Sequence, residues 1–266
     1  MTTSAQMPDL LATIVAAART AVHDRERVYP LARLAESQSY RPRAGQFMTA
    51  LRESPAPRIV AECKRRSPSR GILRHDYEPA AHARAYAAAG AAAISVLTEP
   101  TFFDGDLSHL AAVRAVVAVP LLRKDFIVTE YQVHEAAMHG ADAVLLIAAA
   151  VDEADLRRLR QLSQSLGLAA LVEVHTREEL DCALRAGAEI IGVNSRNLRT
   201  LAVDLEVTAA LAAAIPEDVI TVAESGITTG DDLRRFSQLG FDAFLVGERL
   251  ITQPDPGAAL EALRTS

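Results

Sequence analysis

Tryptophan is absent from this chain, and cysteine and aromatic residues are scarce. Its 266 residues include no Trp and two Cys, and Phe, Trp and Tyr together make up 5%. So few aromatic rings argue against a polysaccharide site, where flat side chains would have to stack on sugars. The two cysteines, Cys63 and Cys182, are far apart and lack metal-ligand spacing. We therefore expect a reducing compartment, where free thiols are the rule.

Long apolar runs and an excess of basic charge are also missing. No segment reaches the ~18 apolar residues that a membrane helix needs, and residues 1–20 lack the basic start and long apolar run of a signal peptide. The 28 basic residues are outnumbered by 34 acidic ones, and no basic stripe of the kind that tracks nucleic acid is present. We therefore expect a cytoplasmic protein with neither a membrane nor a nucleic-acid partner.

From Arg58 onward, short apolar runs rich in β-branched residues alternate with amphipathic segments. The strand candidates are residues 59–63, 92–97, 121–124, 143–147, 170–174, 190–194, 219–223 and 243–246. Between them, apolar residues recur at helical spacing. Several of these segments end at a glycine, which accepts the left-handed conformation that closes helices. Such alternation implies parallel strands with both faces buried.

Eight strand–helix units in a chain of 266 residues favour an α/β fold that closes into a (β/α)₈ TIM barrel. A doubly wound open sheet is the alternative. The start of the chain does not follow the repeat, because residues 10–28 read as an amphipathic helix carrying Leu11, Ile14 and Val15. We expect residues 1–266 to form a single barrel domain, of which residues 1–55 are a helical N-terminal extension too small to fold alone.

Polar side chains cluster at the predicted C-terminal ends of the strands, where the active sites of barrels lie. They are Glu62 and Lys64, Lys124 and Asp125, Glu173, Asn194-Ser195-Arg196, and Glu224-Ser225. Each charge alone could belong to a structural ion pair. Unpaired buried charges cost several kcal/mol each, so charges at matching ends of five strands favour an active site. Because side chains alternate, Glu62 and Lys64 share one face and Cys63 points to the helix layer as a small core residue.

Glycines follow the seventh and eighth predicted strands. Ser225-Gly226 and Gly247-Glu248 would aim backbone amides and the start of a short helix at one point. This arrangement is typical of the phosphate site of barrels, and plain turns are the alternative. The loop from Lys64 to Ser69 adds cations and hydroxyls that suit a carboxylate or phosphate, although a solvated basic loop is its simplest interpretation.

Taken together, these motifs resemble those of the indole-3-glycerol-phosphate synthase family. Matching segments lie at residues 59–69 (IVAECKRRSPS), 98–105, 122–126 (LRKDF), 171–174 (LVEV), 192–198 (GVNSRNL), 223–227 (AESGI) and 244–248 (FLVGE). The resemblance covers the whole chain in the family's order. It implies a carboxy-lyase of tryptophan synthesis that acts on a small sugar-phosphate substrate, needs no metal or organic cofactor, and can work as a monomer.

The resemblance also implies roles for the residues at the strand ends. Lys124 stands where the family's catalytic lysine does and would act as general acid at a ketone oxygen. Its neighbour Lys64, also in the catalytic set, would help to lower the pKa of Lys124 toward the working range. Glu173 would act as acid and base in the dehydration, and Glu62 would orient the lysines. The remaining catalytic candidates are Asn194 and Glu224.

Binding roles follow from the same resemblance. Phe103 and Phe126 would stack on the aromatic ring of the substrate, although the aromatic pair Phe102-Phe103 could instead pack on the N-terminal helix. The substrate-binding set is Ser67, Phe103, Phe126, Arg196 and Ser225. The phosphate-binding set is Lys64, Ser225, Gly226, Gly247 and Glu248, the last through its backbone amide.

Two other functions remain open at this stage. Phosphoribosylanthranilate isomerase shares the barrel and the phosphate site, but it needs a cysteine at strand one and an aspartate at strand six. Here Cys63 is expected on the outer face, and strand six ends in Asn194. The second alternative is a barrel that binds a phosphate ligand without catalysis, and its signature would be a missing lysine or glutamate. Lys124 and Glu173 are both present.

Overall fold

Eight parallel strands form a closed barrel in the computed structural model, which describes residues 10–37, 40–196 and 205–266. The strands are β1 (Ile59–Cys63), β2 (Ala93–Leu97), β3 (Leu121–Lys124), β4 (Ala143–Ile147), β5 (Ala169–Val174), β6 (Ile190–Asn194), β7 (Ile220–Glu224) and β8 (Ala243–Val246). Each strand pairs with its sequence neighbours, and Ile59 of β1 pairs with Phe244 of β8 to close the ring. The predicted barrel is confirmed, and the open sheet is excluded.

Helices surround the barrel and extend it at the N-terminus. They are α1 (Leu10–Val28), α2 (Leu31–Glu36), α3 (Ala44–Glu53), α4 (Pro79–Ala88), α5 (Pro100–Phe103), α6 (Leu107–Arg114), α7 (Glu130–Met138), α8 (Glu153–Ser165), α9 (Arg177–Arg185), α10 (Leu205–Ala212), α11 (Gly230–Gln238), α12 (Glu248–Ile251) and α13 (Pro256–Thr265). A 3₁₀ turn covers Ala148–Ala150. Among the residues described, no helix is long and apolar enough to cross a membrane.

The start and end of the outer helices follow from local chemistry. Thr129 and Thr176 accept backbone N–H groups at the starts of α7 and α9, which satisfies donors that have no partner within the helix. The predicted glycine stops are confirmed where Gly90 and Gly140 follow α4 and α7 with positive φ angles of 82° and 89°. Each strand therefore receives the chain from a sharply ended helix.

Two apolar layers result from the alternation of side chains along the strands. Ala61 and Cys63 point outward into the layer between strands and helices, whereas Val60 points into the barrel. Cys63 is buried, with its Sγ 3.9 Å from the carbonyl oxygen of Pro79 on α4. Burial raises the pKa of this thiol above its ordinary value. The prediction that Cys63 is a small core residue of the helix layer is therefore confirmed.

The N-terminal helices close off parts of the barrel. α1 buries Leu11 and Ile14 as predicted. α3 packs Phe47 and Leu51 into the same cluster as the first inward residues of the strands. The N–H of Ala44, also on α3, donates to the carbonyl oxygen of Gly167, shortly before β5. α3 thus covers the N-terminal end, opposite the polar strand ends. α2 was not anticipated, and the assignment of residues 1–55 and the barrel to one domain stays a prediction.

Candidate active site

A pocket of about 360 Å³ opens at the C-terminal ends of the strands. Every residue that the sequence proposed for the site lines this pocket: Glu62, Lys64, Ser67, Phe103, Lys124, Phe126, Glu173, Asn194, Arg196, Glu224, Ser225, Gly226, Gly247 and Glu248. The fold therefore brings residues from widely separated parts of the sequence together at the C-terminal mouth of the barrel. Their individual roles stay predictions.

Four charged side chains of the pocket come from alternate strands. They are Glu62 on β1, Lys124 on β3, Glu173 on β5 and Glu224 on β7. In a barrel of this kind, the inward side chains of alternate strands meet in one layer. The barrel geometry therefore gathers three carboxylates around one ammonium group. All three glutamate side chains are at most 4% exposed.

Lys124 lies between two of these carboxylates. Its Nζ is 3.4 Å from Oε2 of Glu173 and 3.5 Å from Oε2 of Glu224. Asn194 donates from Nδ2 to Oε1 of Glu173 at 3.1 Å. The amide and the ammonium together hold the Glu173 carboxylate from both sides, so its orientation is fixed before any ligand arrives.

The expected lowering of the pKa of Lys124 is wrong. Burial alone would lower this pKa, but three nearby carboxylates outweigh burial and raise it above the ordinary lysine value. In order of effect they are Glu173, Glu224 and Glu62. Lys64 is itself occupied by Glu62, with 2.5 Å between Nζ and Oε2. Lys124 is therefore a fully protonated group, able to give a proton and poorly able to take one.

The surroundings of Glu224 favour the neutral, protonated form of its carboxyl group. Burial raises the pKa of this carboxyl to about 8, with Glu173 adding to the effect and Lys124 opposing it. Gly192, on the neighbouring strand β6, makes room for the group, because a Cβ there would overlap Oε1 of Glu224. The sequence analysis did not single out Gly192. Its signal is a glycine in the middle of an apolar strand, which often marks a close approach of another group.

Glu62 sits beside the eighth strand in a similar way. A Cβ at Gly247 would overlap Oε2 of Glu62, so that glycine leaves space for a carboxylate. Burial favours the protonated form of Glu62, but Lys64 and Lys124 outweigh it and lower the pKa of Glu62. Glu62 is thus an anion paired with Lys64, and its role in orienting the lysines stays a prediction.

One side of the pocket is apolar. Phe103 and Phe126 lie with ring centroids 6.1 Å apart and planes inclined at 34°, and Leu11 and Ile14 of α1 complete this wall. Of the two adjacent phenylalanines, Phe103 lines the pocket, while Phe102 packs against the apolar cluster that includes α1. Phe103 packs against the same cluster, so the packing alternative applies to both rings, and stacking of Phe103 on a substrate stays a prediction. We call this wall the aromatic end.

The opposite side of the pocket is formed after β7 and β8. Ser225 and Gly226 have positive φ angles of 65° and 74°, a conformation that turns successive backbone amides toward one point. Ser195 supports this turn, because its hydroxyl donates to the carbonyls of Glu224 and Ser225 at 3.0 and 3.1 Å. We call this region, which also includes Gly247 at the start of α12, the phosphate end, after the phosphate site that the sequence predicts there.

Charged side chains tie the loop after β1 to its surroundings. Arg65 and Arg66 both pair with Asp104 in the loop after β2. Arg70 pairs with the carboxylate of Glu248, with 3.0 Å between Nη2 and Oε1. Ion pairs therefore connect the loop to both sides of the mouth, and its role in holding a carboxylate or phosphate stays a prediction. The pairings were not visible in the sequence because their partners lie on other loops.

The end of β6 is described only in part. The backbone N–H of Arg196 donates to Oδ1 of Asn194 at 2.9 Å, which leaves the amide nitrogen of Asn194 for Glu173. His175 of the loop after β5 also contacts this strand end, with its Nδ1 2.7 Å from the carbonyl oxygen of Asn194. The next two residues of the motif, Asn197 and Leu198, lie outside the described residues.

Fold and site together define a (β/α)₈-barrel protein. Its C-terminal mouth carries a ring of buried charged side chains and a turn of the kind that binds anions in other proteins. Solved barrels share the architecture: thiamine phosphate pyrophosphorylase from Pyrococcus furiosus matches with a TM-score of 0.61 and 20% identity over 78% of this chain and 94% of its own. KGPDC from Streptococcus mutans matches with a TM-score of 0.62 and 13% identity over 79% and 96%. At such identities the likeness shows the fold alone.

Sequence comparison identifies the family. The family described as indole-3-glycerol phosphate synthase matches residues 11–263. An indole-3-glycerol phosphate synthase of Micrococcus luteus is 49% identical over 261 residues, which is 97% of each chain. That of Mycolicibacterium smegmatis is 49% identical over 257 residues, covering 97% of this chain and 94% of its own. The chain belongs to the indole-3-glycerol phosphate synthase family, and the resemblance found in its motifs is confirmed.

Proposed function

We propose that this chain closes the ring of 1-(2-carboxyphenylamino)-1-deoxyribulose 5-phosphate to give indole-3-glycerol phosphate, CO₂ and water, without a metal or organic cofactor. The observation that carries the proposal is the ammonium group of Lys124, held between Glu173 and Glu224 at 3.4 and 3.5 Å. A carbonyl that is attacked by a carbon nucleophile needs a proton on its oxygen, and a fully charged lysine in a ring of carboxylates is built to deliver one.

The two ends of the pocket match the two ends of this substrate. We assign the carboxyphenyl ring to the wall formed by Phe103 and Phe126, where aromatic side chains favour stacking. The phosphate fits the amides of Ser225, Gly226 and Gly247. We assign the substrate carboxylate to Lys64, a cation that pairs with Glu62 in the same pocket. The ketone then lies over the charged ring.

The first step forms the new carbon–carbon bond. The ring carbon that bears the carboxylate attacks the ketone carbon, pushed by the anilino nitrogen. The ketone π pair moves to oxygen, and that oxygen takes the proton of Lys124. The bond to the carboxylate then breaks, CO₂ leaves, and its electron pair restores the aromatic ring. Lys124 ends this stage neutral and is recharged by a proton from solvent or from a neighbouring carboxyl group.

The second step removes water. Glu173 first takes up a proton from solvent and gives it to the hydroxyl, which leaves as water. The adjacent carbon then returns a proton to Glu173 as the indole double bond forms. Asn194 holds that carboxyl in place at 3.1 Å. Glu224, whose pKa is raised to about 8 by burial, carries a proton near neutral pH. It can therefore replace the proton that Lys124 has given away.

Two alternatives are less well supported. A phosphoribosylanthranilate isomerase needs a reactive cysteine at strand one, whereas Cys63 lies buried on the outer face. A barrel that only binds a phosphate ligand has no use for an ammonium group among three buried carboxylates, since those charges cost free energy to bury. A cytoplasmic location and activity as a monomer stay predictions from the sequence.

Labelled substrate tests the proposal. The carboxyl carbon of the carboxyphenylamino substrate is labelled with ¹³C, and the released CO₂ and the indole product are quantified together. Equal amounts of both are expected. Retention of the label in unchanged substrate would contradict the proposal and favour the binding-only barrel, and label retained in an isomerised product would favour the isomerase.

A further inference from the structure

A chain of alternating charges lies behind the aromatic end of the pocket. It runs from Arg25 on α1 to Glu135 on α7, to Arg123 on β3 and to Asp125 in the following turn. Nε of Arg25 lies 2.6 Å from Oε1 of Glu135, and Nη2 of Arg123 lies 2.8 Å from Oδ2 of Asp125. Nη1 of Arg123 lies 3.4 Å from Oε2 of Glu135. Neither arginine lines the pocket, so the proposed mechanism makes no use of them.

Arg123 occupies the opposite face of β3 from Lys124. Because side chains alternate along a strand, Lys124 points into the barrel and Arg123 into the helix layer. The Arg123 side chain is only 1% exposed, and a buried guanidinium is costly unless its donors are satisfied. Its Nε donates to the hydroxyl of Thr98 at 3.1 Å, and its Nη1 to the carbonyl of Gln132 at 2.7 Å. All three nitrogens therefore have acceptors.

These contacts fix the turn that carries Phe126. Asp125 accepts the N–H of Phe126 on Oδ1 at 2.8 Å and the hydroxyl of Thr98 on Oδ2 at 2.6 Å. Gln132 closes the other side, because its Nε2 donates to the carbonyl of Phe126 at 2.9 Å and its Oε1 accepts the N–H of Val128 at 2.9 Å. Both backbone polar groups of Phe126 are thus held by side chains of the network.

The same network reaches the other walls of the aromatic end. Thr98 is followed by Glu99, whose carboxylate accepts three successive N–H groups at the start of α5, the last from Phe103 at 3.1 Å. Arg25 anchors α1, and the N-terminal part of α1 supplies Ile14 to the apolar wall. Three separate elements of the aromatic end are therefore connected through one buried guanidinium.

We propose that Arg123 is a positioning residue for the proposed reaction, which sets the aromatic end of the pocket through Asp125 and docks α1 against it through Glu135. This inference rests on the proposed function, because that function is what gives the aromatic end its ligand. Arg123 itself stays away from the substrate. Its removal should loosen the grip on the carboxyphenyl ring and leave the phosphate end, on the far side of the pocket, unchanged.

Two small ligands report separately on the two ends of the pocket. Anthranilate represents the carboxyphenylamino portion, and inorganic phosphate represents the other end. In Arg123→Met, the dissociation constant of anthranilate should rise about tenfold or more, because the turn of Phe126 loses its anchor. The constant for phosphate should stay within about twofold. Arg123→Lys, which keeps the charge, should recover part of the loss.

Milder variants protect the test against misfolding. Thr98→Val removes one donor to Asp125 at nearly constant volume, and Arg25→Ala cuts the chain at its more exposed end. Each should weaken anthranilate binding about threefold to fivefold, the scale expected when one or two hydrogen bonds remote from the ligand are lost, and should raise KM more than it lowers kcat. Tyr40→Phe is the matched control. It removes the 2.6 Å bond to the buried Asp142, so it should cost stability without changing either dissociation constant.

Three outcomes would overturn the inference. The first is that Arg123→Met weakens the binding of anthranilate and of phosphate equally. The second is that folded Thr98→Val and Arg25→Ala bind anthranilate as tightly as the unaltered protein. The third is that Tyr40→Phe loses as much anthranilate affinity as Thr98→Val. Failure of the proposed function would look different. The unaltered protein would then bind anthranilate but leave the full substrate unconverted, and the pattern across the variants would still support the positioning role.

Discussion

The ammonium nitrogen of Lys124 lies 3.4 Å from Oε2 of Glu173, across the interior of the barrel from β3 to β5. The two residues are 49 positions apart in the chain and meet because alternate strands contribute side chains to one layer. The contact keeps the lysine charged and ties it to the carboxylate that would act in the following step. In the proposed mechanism, this one contact would therefore prepare both the acid for ring closure and the acid–base group for dehydration.

Lys124→Ala should abolish ring closure. The variant removes the proton donor of the first step, and a general acid contributes about 10²–10⁴-fold to the rate. Binding of inorganic phosphate should persist, because the phosphate end is formed by residues after β7 and β8. Turnover is measured on the full substrate, and phosphate affinity serves as the control for folding. Retained turnover would remove Lys124 as the general acid.

Glu173→Gln should lower kcat by about two to four decades, the usual cost of a lost acid–base catalyst. The amide keeps the size of the side chain and can still contact Asn194, which holds the native carboxylate at 3.1 Å. KM should therefore change much less than kcat. A kcat equal to that of the unaltered protein would contradict the role of Glu173.

Glu224 should make the protein less stable as pH rises. Its pKa is raised to about 8 in the folded protein, well above the ~4.3 of an unfolded glutamate. The folded state thus binds this proton more tightly, so its stabilising effect is complete below about pH 4.3 and is lost as pH rises through about 8. Lys124 stays charged throughout this window, because its pKa is raised above the ordinary lysine value.

Glu224→Gln isolates that effect. At pH 5 the variant and the unaltered protein should have similar Tm values, and at pH 9 the variant should be more stable. A difference of 1 kcal/mol in the free energy of unfolding corresponds to a Tm difference of about 2–4 °C in a chain of this size. The same substitution at Glu189, which is exposed, is the control and should show no such divergence. A Tm difference for Glu224→Gln that does not change with pH would contradict the assignment.

Gly192→Ala should reduce turnover without unfolding the barrel. The new Cβ would overlap the end of the Glu224 side chain, and a flexible side chain can move aside more easily than backbone. We expect kcat to fall by about tenfold or more, with a change in unfolding free energy within about 1 kcal/mol. Gly45→Ala is the matched control, since its Cβ would meet nothing within 4 Å in α3. That variant should gain up to about 1 kcal/mol of helix stability and keep its turnover.

The barrel could be predicted because each of its units repeats the same local signals. Apolar runs mark the strands, and a glycine closes most of the helices between them. The end of β7 was misplaced by one residue because a run of apolar letters stops at the first charge. In the barrel Glu224 still pairs in register with Asn194 of β6, since the last inward position of a strand can hold a functional charge.

The electrostatics of the site could not be predicted in the same way. The family resemblance made Lys64, at the end of strand one, a neighbour of Lys124, which suggested a lowered pKa for Lys124. Closure of the barrel instead brings Glu173 and Glu224 closer and reverses the direction. The network of Arg123 could not be predicted for a similar reason. Its partner Glu135 lies on α7, and the sequence alone does not show which way that helix faces.

The most direct test of the account mixes the purified protein with 1-(2-carboxyphenylamino)-1-deoxyribulose 5-phosphate, without added metal, and follows indole fluorescence. The charged ring around Lys124 supplies the acid–base groups that the proposed ring closure needs. A fluorescence signal that rises and survives EDTA is therefore predicted. A flat signal from a protein that the same ligand still protects against heat would contradict catalysis and leave a barrel that only binds.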